Sequence, residues 1–137
     1  MDENVSRWLS KFDSGAAEDL DYSHYPLEEQ FSQFGIRQIE LDVYYDPDGG
    51  LFSKRMGNIV SKDPVRPNSP ELMEPGLKIL HFPDIDFNTN YLTFKRALSV
   101  IKKWSNEHPN HFPIFILIEA KDEGVTDKIP LLTGRKN

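Results

Sequence analysis

The spacing of apolar positions divides the chain into a few elements. Residues 1–22 are polar and acidic, with Trp8, Leu9 and Phe12 as their apolar group, a pattern that fits a short helix and a frayed tail equally. A helix is predicted from Pro26. Proline suits the first helical position, Glu28 and Glu29 favour the positive end of the helix dipole, Leu27, Phe31 and Phe34 share a stripe, and Gly35 supplies the stop. Residues 36–45 then alternate as a strand does. Arg37, Ile39, Leu41 and Val43 take one side, and Ile36, Gln38, Glu40, Asp42 and Tyr44 take the other. Asp46-Pro47-Asp48-Gly49-Gly50 reads as a turn.

Residues 51–76 keep no period and hold Pro64, Pro67, Pro70 and Pro75, which predicts a long loop with one turn of helix at 71–74. A short second strand over 77–82 carries His81 near its end, and Pro83 closes it. Residues 91–107 form the strongest helical pattern, with Phe94, Ala97, Leu98, Ile101 and Trp104 on one stripe, and Pro109 ends it. In the third strand, 114–120, Ile114, Phe115, Ile116, Leu117 and Ile118 make both faces apolar. That predicts burial on both sides, as in a parallel sheet flanked by helices. Helix, strand, strand, helix, strand is the order of an α/β fold. After Glu123 the chain is polar and punctuated by Gly and Pro, with no further element predicted.

Composition narrows this picture. A length of 137 residues suits one domain or part of one, and 38% hydrophobic with 12% aromatic residues suffices for a core despite a mean hydropathy of -0.55. With no cysteine there is no disulfide framework, thiolate metal site or cysteine nucleophile. A net charge of -6 argues against a nucleic-acid binder held by phosphate contacts. The charge is uneven: residues 1–50 hold 12 acids and 3 bases, and residues 51–137 hold 10 acids and 13 bases, so a cation site is expected in the acidic first third. Residues 1–9 resemble neither a secretory signal nor a membrane span, and the longest apolar run, 114–118, is far too short to cross a bilayer. The compartment stays open. Asn4-Val5-Ser6 fits a glycosylation pattern short enough to arise by chance.

If the strands run parallel, each ends in groups that can do chemistry at one end of the sheet. The first brings Glu40 and Asp42, the second His81, and the third Glu119 and Lys121. Three carboxylates suit a hard cation such as calcium or magnesium, and a histidine offers acid–base work near neutral pH. Each also has an ordinary reading: a solvated strand face for Glu40 and Asp42, a hydrogen-bonded structural histidine for His81, a strand surfacing into water for Glu119 and Lys121. Other patterns favour structure. Asp46-Pro47-Asp48-Gly49 lacks the EF-hand ligand at Tyr44, Pro109 prevents a helical zinc pair from His108 and His111, and Trp104 sits at core spacing.

Four ordered segments carry a resemblance. They are Tyr22-Ser23-His24-Tyr25-Pro26-Leu27-Glu28-Glu29-Gln30-Phe31, Gly35-Ile36-Arg37-Gln38-Ile39-Glu40-Leu41-Asp42-Val43, Lys78-Ile79-Leu80-His81-Phe82-Pro83-Asp84-Ile85-Asp86, and Pro113 through Glu119-Ala120-Lys121-Asp122. Over residues 21–122 the chain resembles the calcium-dependent phosphatidylinositol-specific phospholipase C family of bacteria and fungi. The resemblance implies a TIM (β/α) barrel, here its front portion, with residues 21–123 as the partial barrel, 1–20 as an acidic N-terminal segment and 124–137 as a tail or continuation. It implies calcium held by Glu40, Asp42 and Glu119, lowering the pKa of the attacking inositol hydroxyl, and His81 as general acid toward the leaving oxygen. Lys121 would meet phosphate charge. The implied substrate is a phosphoinositide or related phosphodiester, with peripheral membrane contact and self-association through exposed barrel edges. The family's first-strand His-Asn-Ser/Thr-Tyr motif has no counterpart in residues 1–20, and His24 does not replace it, which implies a truncated chain lacking one histidine and one calcium ligand. The alternative readings are a glycerophosphodiester phosphodiesterase-like enzyme and a non-catalytic barrel fragment acting as an interaction module.

Overall fold

A computed structural model describes residues 3–11, 13–53, 69–83, 86 and 88–122, without the side chain of Asn4. Phe12, Pro64, Pro67, Asp84, Ile85 and the predicted tail at 124–137 lie outside the described residues. The elements are α1 (Glu3–Leu9), α2 (Ser14–Asp19), α3 (Leu27–Gln33), β1 (Gln38–Asp46), α4 (Pro70–Met73), β2 (Gly76–Ile79), α5 (Phe94–Glu107) and β3 (Phe115–Lys121). They make a small mixed α/β domain around an open three-stranded sheet of order β2-β1-β3. Among the described residues no helix is long and apolar enough to cross a membrane.

The sheet corrects the expectation of an all-parallel arrangement. β3 pairs with β1 in parallel, Gln38 opposite Phe115 through Tyr44 opposite Lys121, but β2 runs antiparallel, with Asp46 opposite Gly76 and Val43 opposite Ile79. The turn after β1 packs on α4, the helix that leads into β2. Gly50 N–H donates to the Leu72 carbonyl at 2.8 Å, tying the turn to α4. Gly49, at φ +80°, lies so close to α4 that a β-carbon there would stand 2.2 Å from the Met73 carbonyl oxygen. β2 therefore starts beside the end of β1 and runs back along it. The other edge of β2 is flanked by the approach to α5, where Ile79 N–H donates to Leu92 at 3.0 Å.

Two apolar clusters occupy opposite faces of β1, as a period of two requires. Ile39, Leu41 and Val43 join Leu27 and Phe31 of α3, Ile79, and Ala97, Val100, Ile101 and Trp104 of α5. The Trp104 ring packs 5.1 Å from Phe31, and its Nε1–H donates to Ser32 Oγ at 2.7 Å. On the other face α1 and α2 bring Val5, Leu9, Ala17 and Leu20 against Tyr44 and Leu80. The acidic start of the chain is thus helical, and Asp13 caps α2 by accepting the Ala16 N–H at 3.0 Å. This cover helps bury Tyr44, while on the same side Glu40 is exposed and Asp42 is partly so.

Three burial expectations are corrected. Phe34 falls past the end of α3 and is 55% exposed, its ring against Tyr25 at the surface. In α5 the buried stripe is Ala97, Val100, Ile101 and Trp104, turned away from the half-exposed Leu98. β3 is not buried on both sides: Phe115, Leu117 and Ile118 are half exposed or more. Among the described residues β3 pairs only with β1, so it forms an edge of the sheet. Ile114 and Ile116 alone lean toward the main cluster.

Candidate functional site

The parallel register of β1 and β3 builds the centre of the site. Asp42 lies opposite Glu119 and Tyr44 opposite Lys121, and Glu40 is two residues before Asp42 on the same face. One carboxylate oxygen from each of Glu40, Asp42 and Glu119 can be chosen so that all three lie within 4.8 Å of one another. Such a set of oxygen donors suits a hard divalent cation, whose ligands sit at about 2.3–2.6 Å from the metal in calcium sites. The cluster opens into a cleft of about 890 Å³ that lies between β1, β2 and residues 21–25.

Lys121 reaches into this cluster rather than standing beside it. Its Nζ is 2.5 Å from Asp42 Oδ2 and 3.6 Å from Glu119 Oε2. Burial pulls its pKa down, but the hydrogen bond to Asp42 and the charges of Asp42 and Glu119 outweigh that and hold it above the ordinary lysine value. The ammonium also lies 5.6 Å from the centre of the Phe82 ring, within cation–π range.

His81 arrives by a different route from the one expected. It follows β2, and because that strand runs antiparallel, the histidine is carried back toward the middle of β1 rather than to a shared C-terminal end. It nevertheless lines the same cleft as Glu40, Asp42, Glu119 and Lys121. A tight return places a carboxylate on it: Phe82 and Asp86 exchange backbone hydrogen bonds of 3.2 and 2.8 Å, bringing Asp86 Oδ2 to 3.0 Å from His81 Nδ1. Tyr22 Oη lies 2.9 Å from the same nitrogen and donates to Asp86 at 3.4 Å. Tyr44 donates to the His81 carbonyl at 3.3 Å. Asp86 is buried at 6% exposure, whereas the imidazole is part open to the cleft. Burial, then the charge and hydrogen bond of Asp86, raise the Tyr22 hydroxyl pKa, so Tyr22 remains a donor.

Tyr22 and Asp86 carried no assigned role in the sequence. Asp86 had a signal, a carboxylate five residues after the histidine with Pro83 between them. Tyr22 had none, since 59 residues separate it from His81. His24 also lines the cleft, its ring edge-on to Tyr22 at 5.1 Å. His108 and His111 stay with the helix end: His108 stacks on Trp104 at 4.3 Å, and His111 Nε2 is 2.7 Å from Ser105 Oγ.

Comparison with curated proteins and comparison with solved structures each return no match. A family model does match. It is described as phosphoinositide phospholipase C, Ca2+-dependent, and it extends over residues 1–135, past both ends of the four segments that carry the resemblance. With nearly the whole sequence matched, and an acidic cluster suited to a divalent cation in its cleft, the chain belongs to the calcium-dependent phosphoinositide phospholipase C family.

Proposed function

We propose that the chain carries the calcium-binding and acid side of a phosphodiester-cleaving site for phosphoinositides, set on the front portion of a (β/α) barrel spanning residues 21–123. The observation that carries this reading is the meeting of Glu40, Asp42 and Glu119 in one cleft with a histidine already oriented by a buried carboxylate. Bound among those carboxylates, calcium would acidify an attacking hydroxyl and offset charge on phosphorus.

The chain's own residues divide the remaining work. Asp86 accepts from Nδ1–H of His81, which fixes the tautomer and leaves Nε2 to face substrate. The same carboxylate stabilises the imidazolium, so that Nε2–H can protonate a departing alkoxide. Tyr22 donates to the same Asp86 oxygen from beside Nδ1 of His81. Lys121 adds positive charge beside the carboxylates, which lessens their repulsion of a phosphate. No residue in 1–20 matches the family's first-strand His-Asn motif, so no base is assigned here.

Two measurements test the reading. Calorimetry with calcium alone should give heat with the native chain and none with Glu40→Gln or Asp42→Asn; a silent native chain and a silent Lys121→Met variant together remove the metal assignment. Release of inositol phosphate from phosphatidylinositol vesicles should then be compared between the chain alone and the chain preceded by a segment bearing the His-Asn motif. If both are inert, the catalytic assignment falls. The exposed residues Phe115, Leu117 and Ile118 along β3 support self-association through that edge, and Phe112 beside them supports peripheral membrane contact. Sedimentation across a concentration series and vesicle flotation test these two points.

A further inference from the structure

The acidic cluster already holds a cation, and that cation belongs to the chain. Glu119 and Lys121 are two residues apart on β3, so both side chains leave the same face. The register sets Lys121 level with Tyr44, one step past Asp42, and its stem turns back to bring Nζ 2.5 Å from Asp42 and 3.6 Å from Glu119. The side chains of Asp42 and Lys121 are only 16% and 19% exposed, so this is a half-enclosed contact rather than a loose surface pair. Glu40, on the other side of Asp42, is exposed. Among the described residues no ion pair joins it to a base.

We propose that Lys121 is a tethered cation resident in the carboxylate cluster, so that calcium binds by exchange with its ammonium and the affinity of the site is set by that competition. This rests on the reading of Glu40, Asp42 and Glu119 as the calcium ligands.

An ammonium on Asp42 Oδ2 occupies one acceptor position of an oxygen that a metal would also need. Two cations sharing these carboxylates at a few ångströms would repel each other strongly in a half-enclosed site. The divalent ion, taking oxygens from all three carboxylates, displaces the monovalent group that engages two. Lysine suits such exchange. Its charge is a point on a flexible four-carbon stem, so the ammonium can leave without any change in the backbone of β3. Nor does departure strand it, since Lys121 lines a cleft that is open to water.

The test is calcium titration, followed by calorimetry, of the native chain, Lys121→Met and Lys121→Arg, with Asp42→Asn as the non-binding control. Methionine keeps the stem and removes the charge, so it should bind calcium about tenfold more tightly or better. Arginine, which retains the charge, should stay near native affinity. In the native chain the resonances of the Lys121 side chain should shift as calcium saturates the site, because the ammonium leaves Asp42. Equal or weaker binding by Lys121→Met, with Asp42→Asn still silent, overturns the exchange and leaves the calcium site standing. No binding by either the native chain or Lys121→Met overturns both. Should Lys121→Met not fold, a Lys121 signal in the native chain that stays fixed at saturating calcium is sufficient to reject the proposal.

Discussion

Two lysines on strands flanking β1 reach to two aspartates on the same face of β1, and their settings differ. Lys78 and Asp46 are sealed: their side chains are 1% and 2% exposed, with Nζ 3.3 Å from Oδ2. Lys121 and Asp42, four residues back along β1, are 19% and 16% exposed and face the cleft. Lys78 also donates to the carbonyls of Glu74 and Gly76, so its ammonium is enclosed on several sides. Asp46 Oδ2 is within ion-pair reach of Lys78 but outside hydrogen-bond geometry, and among the described residues it has no other hydrogen-bond partner. The chemistry of the two pairs is the same. What separates a structural pair from an exchangeable one is whether a side is left open to water.

The largest effect should come from the sealed pair. Lys78→Met leaves Asp46 buried without its cation and should cost about 3–5 kcal/mol in urea unfolding. Lys78→Met combined with Asp46→Leu should recover most of that loss. If the single variant melts like the native chain, the distinction between the pairs collapses. Asp86→Asn comes next: it keeps the shape but loses the carboxylate beside His81, so on the proposed function inositol phosphate release by the chain extended with the His-Asn segment should fall about tenfold or more, and by less than in His81→Ala. A native-like urea unfolding curve for Asp86→Asn separates this from mere misfolding.

The open pair should matter less to stability. Lys121→Met should cost about 1–2 kcal/mol of unfolding free energy at neutral pH without calcium, between the values for exposed and sealed pairs. A loss as large as that of Lys78→Met would show that Lys121 is a structural residue. The smallest effect concerns Tyr91, which accepts the Leu27 N–H at 3.0 Å at the start of α3 and donates to Glu28. Burial first, and then the Glu28 hydrogen bond, push its hydroxyl pKa up to about 12. The unfolded chain releases that proton near pH 10, so this contribution is intact below about pH 10 and lost as pH rises through about 12. Tyr91→Phe should flatten stability over that window in an alkaline melting series.

Much of the main core was legible because it depends on period alone. Alternation selected Ile39, Leu41 and Val43, and helical spacing selected Ala97, Ile101 and Trp104. The direction of β2 was not legible. A four-residue strand has the same pattern run either way, and the packing of Gly49 and Gly50 on α4 lies outside that pattern. The run of apolar residues in β3 was read as two buried faces, yet apolar character states what a face would favour, not whether a partner is there. At the site, alternation put Glu40 and Asp42 on one face, and grouping them with Glu119 needed only parallel pairing. The contact of Lys121 with Asp42 depended on register between strands 79 residues apart, which neither strand's sequence encodes.

The clamp between the turn after β1 and α4 has an engineering consequence. Gly50 and Leu72 are joined by a backbone hydrogen bond, so the chain leaves the sheet and returns to it at adjacent points. A side chain at Gly49 would strike the Met73 carbonyl and press the turn off α4, so this glycine is a position to leave unaltered in any redesign.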